Sequence, residues 1–273
     1  MSQRFAETFK KVRDNNKMAF IPYVIGCDPS FDLSLKIMHT LAANGADALN
    51  IGFAFSDPGT AGEAVLVSNK RALTAGASSD TCFELIKRFR QTDKSTAIAV
   101  TVYANALVVY GVQAFFQSCH DCGIDAVFIP DLPYIMLQVQ MHNFKKAADS
   151  LCSLILSASS NLTQSSLKDI AACDVSYIYA LSDVKVGGDR ISFTRPESLI
   201  KTLKAVTDTP VVVGKGVGSC EDIQELYALG VDGVVVGSVF SLEIKNNLSD
   251  EQALLESIAK KSALLSRACC GPK

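Results

Sequence analysis

Apolar and polar positions in this chain alternate by segment rather than residue by residue. Short apolar runs at Ala19–Gly26, Ala46–Phe53, Thr96–Tyr103, Asp125–Ile129, Leu151–Ser157, Val175–Leu181, Pro210–Gly214 and Asp232–Gly237 are each followed by a longer amphipathic stretch. Runs that are apolar throughout are the mark of parallel strands covered on both faces. The intervening stretches predict helices over Phe31–Ala43, Asp80–Arg90, Val112–Cys122, Ile135–Ala148, Ser165–Cys173, Glu197–Val206, Cys220–Leu229 and Glu251–Leu265. Further helices fit Ala64–Thr74 and, ahead of the first strand, Arg4–Arg13. Asp28-Pro29-Ser30 is a helix start signal with Ser30 as the cap. Gly45-Ala46-Asp47, Gly123-Ile124-Asp125 and Gly230-Val231-Asp232 repeat one device, a glycine that ends a helix in the left-handed conformation before a strand begins.

Eight strand–helix units in about 250 residues is the size of a (β/α)₈ barrel, and the strand count favours it over a doubly wound open sheet. The pattern therefore predicts a single TIM barrel with an extra N-terminal helix over residues 1–267, and a flexible tail over 268–273.

Composition narrows the function. The 26 Lys+Arg against 28 Asp+Glu leave no basic field for nucleic acid. The start of the chain lacks an apolar signal segment, and nine irregularly spaced Cys read as reduced thiols of a cytoplasmic protein. Ala97–Phe115 is apolar but interrupted by Thr101, Asn105, Gly111 and Gln113, so a strand running into a helix explains it better than a membrane span.

Chemistry in such a barrel lies at the C-terminal ends of the strands. Gly214, Gly216 and Gly218 follow the seventh strand, Gly237-Ser238 the eighth, and Gly187-Gly188 the sixth. Glycines there let backbone N–H groups approach an anion, and a helix N-terminus adds its positive end, so a small phosphorylated ligand fits. Tight turns alone would also account for them.

One set of segments carries a resemblance. Phe20-Ile21-Pro22-Tyr23, Gly26-Cys27-Asp28-Pro29, Gly45-Ala46-Asp47-Ala48-Leu49, Phe55-Ser56-Asp57-Pro58, Arg71-Ala72-Leu73, Tyr103-Ala104-Asn105, Pro130-Asp131-Leu132-Pro133, Tyr177-Ile178-Tyr179, Gly214 with Gly216, and Gly237-Ser238 occur in this order across nearly the whole chain. The chain resembles the tryptophan synthase alpha subunit family. The resemblance implies a barrel that splits indole glycerol phosphate into indole and glyceraldehyde 3-phosphate. It also implies a PLP-dependent beta subunit as partner in an alpha2beta2-type assembly, with no cofactor or metal in this chain. Phosphate binding then falls to Gly187, Gly188, Gly214, Gly216, Gly237 and Ser238; the pocket to Tyr23, Tyr103, Phe128, Tyr179 and Lys215; and the beta-subunit contact to Ser56, Asp57, Pro58, Asp131 and Pro133. Tyr103, Phe128 and Tyr179 could equally be barrel filling.

The same resemblance exposes departures. The family uses a Glu on strand two as general acid/base and an Asp in the following loop that interacts with the indole N–H and helps stabilise the transition state; Gly52 and Phe55-Ser56-Asp57-Pro58 fix the register without a gap and put Asn50 and Ala61 there. A family Thr in the loop after strand six is Gly187, and a family Phe near the indole is Lys215. An amide and a methyl cannot exchange protons at neutral pH. The expectation is a subunit that has lost cleavage and acts by docking to and activating its beta partner. The alternative is a working lyase with a relocated carboxylate, Glu63 first and Asp57 or Asp183 after it. Cys119-His120-Asp121-Cys122 is read as a helix end rather than a metal or redox motif, and His39, His120 and His142 as non-catalytic helix residues.

Overall fold

The computed structural model describes residues 1–132, 151–187 and 190–271. Among these the strands are β1 (Ala19–Ile25), β2 (Ala48–Gly52), β3 (Ala97–Thr101), β4 (Ala126–Phe128), β5 (Ser153–Ala158), β6 (Tyr177–Ala180), β7 (Asp183–Gly187), β8 (Arg190–Thr194), β9 (Val211–Val213) and β10 (Gly233–Val236). The helices are α1 (Gln3–Asp14), α2 (Phe31–Ala43), α3 (Glu63–Thr74), α4 (Ser79–Thr92), α5 (Ala104–Tyr110), α6 (Val112–Cys122), α7 (Gln164–Ala171), α8 (Glu197–Lys204), α9 (Cys220–Ala228), α10 (Ser238–Asn246) and α11 (Glu251–Ala268). Eight parallel strands close into a barrel in the order β1-β10-β9-β6-β5-β4-β3-β2, as the alternating pattern predicts. The expected helix Ile135–Ala148 and His142 lie outside the described residues.

Period-two alternation sorts the strands into two rows. Ala19, Ile21, Ala48, Ala97, Ala99, Ala126, Ile155, Tyr177, Val212 and Val235 fill the barrel interior, and Phe5, Phe9 and Val12 of α1 join them. The small alanines leave room at the N-terminal mouth for the α1 phenylalanines, whose rings meet Tyr177 edge-on at centroid distances of 5.6 and 6.1 Å. The other row, including Leu49, Ile51, Ile98, Val100, Leu156 and Ile178, packs beneath the helices. Both rows are apolar, which is why the strands read as unbroken runs.

The repeated Gly-x-Asp turns do more than stop helices. Gly45, Gly123 and Gly230 take positive φ of 99°, 71° and 77°. Each following aspartate then accepts a backbone N–H from the neighbouring strand: Asp47 from Phe20 at 2.8 Å, Asp125 from Ile98 at 2.9 Å, Asp232 from Val211 at 2.7 Å. Each also meets a cation: Lys17, then Arg4 and Arg90, then Lys204. At each of three strand pairs one carboxylate thereby stitches the base. Asp232→Ala is expected to cost about 1–3 kcal/mol, because the Val211 N–H loses its acceptor; a shift in the urea midpoint at constant slope checks this.

Three departures from the sequence pattern bear on the ends of the chain and the mouth of the barrel. The tail expected from residue 268 is anchored through Cys270. The Met18 N–H donates to the Cys269 carbonyl at 3.0 Å, Lys17 and Cys270 form an antiparallel bridge, and Cys269 is fully buried. The run into β1 uses the Cys269 carbonyl as a partner, and burial pushes the Cys269 thiol up; Cys270 is the exposed member of the pair. The second departure is α5, a helical turn where a loop was expected. The third is the antiparallel pair β7 and β8 on the segment after β6. No helix among the described residues is long and apolar enough to cross a membrane.

Candidate functional site

Continued toward the C-terminal mouth, the interior row brings Tyr23, Asn50, Thr101 and Phe128 onto the adjacent strands β1 to β4, with Tyr179 on β6 beyond β5. Tyr23 pairs in register with Asn50, and Thr101 with Phe128. The Phe128 and Tyr179 rings stack at 5.1 Å and 9°. Three glycines make room for this layer. A Cβ on Gly214 would lie 2.0 Å from Tyr179 Oη, one on Gly52 2.5 Å from Tyr23 Oη, and one on Gly237 2.7 Å from Tyr23 Cδ1. Two of the glycines read as anion contacts, Gly214 and Gly237, thus have a packing cause first. Burial raises the phenols of Tyr23 and Tyr179 far above their ordinary value, and the nearby Tyr103 and Tyr179 add to the shift at Tyr23. None of these phenols is a base at neutral pH.

Asn50 is 2% exposed. The Thr101 hydroxyl donates to Asn50 Oδ1 at 2.9 Å, so the amide is oriented by a neighbour on β3. Ala61 packs as an apolar residue, with Tyr23, Ala54 and Ala77, against Ile25, Val65 and Ala72. Glu63 opens the first turn of α3 with its side chain exposed.

The loop between β2 and α3 is fastened from below and from the side. Asn69 on α3 donates to the Val65 carbonyl at 2.8 Å and accepts the Phe55 N–H at 2.9 Å. Phe55 stacks on Tyr103 at 5.1 Å, and Thr60 shares a hydrogen bond of 2.8 Å with the Tyr103 hydroxyl. Burial raises the Tyr103 phenol against the hydrogen bonds from Thr60, and the charges of Asp131 and Asp57 add to the rise. Beneath the loop, Arg71 makes a two-pronged ion pair with buried Asp28, both contacts 2.6 Å, and a third bond of 3.0 Å to Ser68.

Around the glycines after β9, Gly216 has a φ of +78° and its carbonyl accepts from Arg195 at 3.0 Å. Asp222 accepts the N–H groups of Gly218 and Ser219, each at 2.9 Å, and pairs with Arg195. Burial works against the charged form of Asp222, but those donors and Arg195 hold it below the ordinary carboxylate value. Two N–H groups of this turn are therefore already taken by a carboxylate of the chain. Lys215 is half-buried, and its carbonyl accepts from Ser182 at 2.9 Å. Ser238 is exposed at the start of α10, just after Gly237. Gly187 pairs with Arg190 in the β7–β8 ladder, and Gly188 lies outside the described residues.

On the outer rim, Ser56, Asp57 and Asp131 are exposed, whereas Pro58 is buried in its own chain; Pro133 lies outside the described residues. The Asp131 carboxylate accepts the Ala104 N–H at 2.9 and 3.2 Å and so anchors the start of α5. That short helix presents Val108 and Val109 at 56% and 80% exposure.

Thr101, Asn69 and the valines of α5 were not read from the sequence as site residues. An inward-facing Thr at the end of an alanine-rich strand was the available signal for the first. The others needed the fold. The motif Cys119–Cys122 ends α6 before Gly123, which is left-handed, and no cluster of metal ligands occurs among the described residues.

Fold and site together define a (β/α)₈ barrel protein with a small-molecule face at the C-terminal ends of its strands. The comparisons make this specific. The family described as tryptophan synthase alpha chain matches residues 9–268, and the chain belongs to that family, which places it in tryptophan biosynthesis. It is 38% identical over 256 residues to a tryptophan synthase alpha chain of Helicobacter pylori, covering 93% of this chain and 96% of the relative. It is 35% identical over 259 residues to the alpha chain of Actinobacillus pleuropneumoniae, covering 94% and 95%. The solved structure of tryptophan synthase subunit alpha from Legionella pneumophila superposes with a TM-score of 0.85 at 25% identity, covering 98% of each chain.

Proposed function

We propose that this alpha chain has lost the cleavage of indole glycerol phosphate and serves as a docking and activating subunit for a PLP-dependent beta subunit. The observation that carries this is the buried Asn50 amide, bonded to Thr101 where the reaction requires an acid. Cleavage needs a proton delivered to the indole ring and another removed from the glycerol hydroxyl. Asn50 and Thr101 donate and accept hydrogen bonds but move no proton at neutral pH. Ala61 is held among apolar side chains, which suits a methyl and disfavours a carboxylate. Against a relocated acid stands Glu63, exposed at the first turn of α3, where it favours the positive helix end.

The retained rim supports the second half of the proposal. Ser56, Asp57 and Asp131 are exposed, and so are Val108 and Val109, an apolar pair on the helix whose start Asp131 fixes. Exposed valines on an anchored rim suit burial by a partner. Titrating a beta subunit with this chain while following tryptophan formation from serine and indole tests it. Saturable acceleration is expected; no acceleration would sink the proposal. Val109→Asp is expected to weaken half-saturation by about tenfold, since it puts a charge in the contact.

A further inference from the structure

One tyrosine joins the three exposed pieces of the rim. Tyr103 is 7% exposed and directly precedes α5. Phe55 stacks on its ring at a centroid distance of 5.1 Å with the planes 17° apart, and its hydroxyl shares a hydrogen bond of 2.8 Å with the Thr60 hydroxyl. Phe55 and Thr60 flank the segment Ser56-Asp57-Pro58-Gly59, so both ends of that segment are fastened to one side chain. Between these ends the turn bonds to itself. The Gly59 N–H donates to the Asp57 carbonyl and the Ala61 N–H to the Pro58 carbonyl, each at 2.9 Å. Ser56, Asp57 and Gly59 are exposed.

The backbone at Tyr103 carries the other two pieces. Its carbonyl accepts the Leu107 N–H at 3.1 Å in the first turn of α5, the helix that exposes Val108 and Val109. The next N–H, that of Ala104, donates to the Asp131 carboxylate in the loop after β4. The loop after β2, α5 and Asp131 thus converge on one residue that is itself held by burial. The two fastenings of the loop differ in kind. Stacking of Phe55 is a ring contact that needs no hydroxyl. The Thr60 bond is a neutral hydrogen bond at the exposed end of the segment, worth about two- to tenfold in an equilibrium constant. A bond of that size biases a loop between ordered and open without locking it.

We propose that the hydrogen bond between the Thr60 and Tyr103 hydroxyls is a latch that holds the segment from Ser56 to Gly59 ready for docking and so sets the affinity for the beta subunit. The proposal rests on the docking reading above and names what tunes it. Thr60 and Tyr103 act here as positioning residues. An open segment has to be ordered again when the partner binds, so the half-saturating concentration rises as the ordered fraction falls. The complex, once formed, is the same, so the maximal acceleration stays.

The test compares the full-length chain with Thr60→Val, which keeps the shape and removes the hydroxyl, Thr60→Ser, which keeps the hydroxyl, Tyr103→Phe, and Thr60→Val combined with Tyr103→Phe. Each is titrated into a beta subunit supplied with serine and indole. Thr60→Val and Tyr103→Phe are each expected to raise the half-saturating concentration about three- to tenfold at unchanged maximal acceleration. Thr60→Ser is expected to stay within about twofold of the unaltered chain. The combined variant is expected to be no weaker than either single one, because one bond can be lost only once. In the free chains, hydrogen-exchange mass spectrometry is expected to show the Gly59 and Ala61 amides exchanging about three- to tenfold faster in Thr60→Val and at the original rate in Thr60→Ser. Unaltered half-saturation or unaltered exchange in Thr60→Val, or single effects that multiply in the combined variant, would overturn the latch and leave docking standing. No acceleration by the unaltered chain would overturn docking itself, and the latch with it.

Discussion

Incubated with indole glycerol phosphate, the pure chain is expected to release indole at least about 10⁴-fold more slowly than a homologue that carries both acids, since each lost acid–base group is worth about 10²–10⁴. Restoring the two acids together, as Asn50→Glu with Ala61→Asp, is expected to leave the rate below about a hundredth of that homologue's. The reasons lie in the surroundings. The Thr101 hydroxyl donates to the oxygen at position 50, and a donor there stabilises the charged form of an introduced carboxylate and makes it a poorer proton donor. At position 61 the new carboxylate would enter an apolar cluster, and Lys215 and Gly187 would remain unchanged. Measuring indole release by both chains checks this. Recovery to the homologue's rate in the double variant would mean that the pocket is otherwise intact.

The second large effect concerns stability. Arg71→Ala is expected to destabilise the chain by about 3–5 kcal/mol, because it strands the Asp28 carboxylate, which is 1% exposed, without its counter-charge. Arg71 is far less dispensable than a surface arginine. Both of its contacts to Asp28 are short, and it joins the turn after β1 to the helix that carries the loop after β2. Urea unfolding with an unchanged slope measures the loss. Replacing both partners by apolar residues should cost much less than the single change, because no unpaired charge is then buried.

The barrel was legible because every strand is covered on both faces and so reads as one apolar run. The Gly-x-Asp turns were legible only as far as the glycine. What Asp47, Asp125 and Asp232 do depends on which strand lies beside them, and that is a property of closure rather than of spacing. The same limit applies to the glycines at the mouth. Sequence spacing suggested anion contacts at Gly214 and Gly237, while both, like Gly52, first answer to Tyr23 and Tyr179 reaching across from other strands. The C-terminal residues read as a tail because they carry no periodic pattern, yet the carbonyl of Cys269 completes the entry to β1. The candidate acids were locatable from their neighbours in sequence. The Asn50–Thr101 bond was not, since it joins β2 to β3 across residues far apart in the chain.

The most direct measurement supplies a beta subunit at saturation, together with serine, and compares two indole sources. With free indole, this chain is expected to accelerate tryptophan formation. With indole glycerol phosphate as the sole source, tryptophan formation is expected to stay at the level of the beta subunit alone. Sustained tryptophan formation from indole glycerol phosphate would contradict a barrel without its acids.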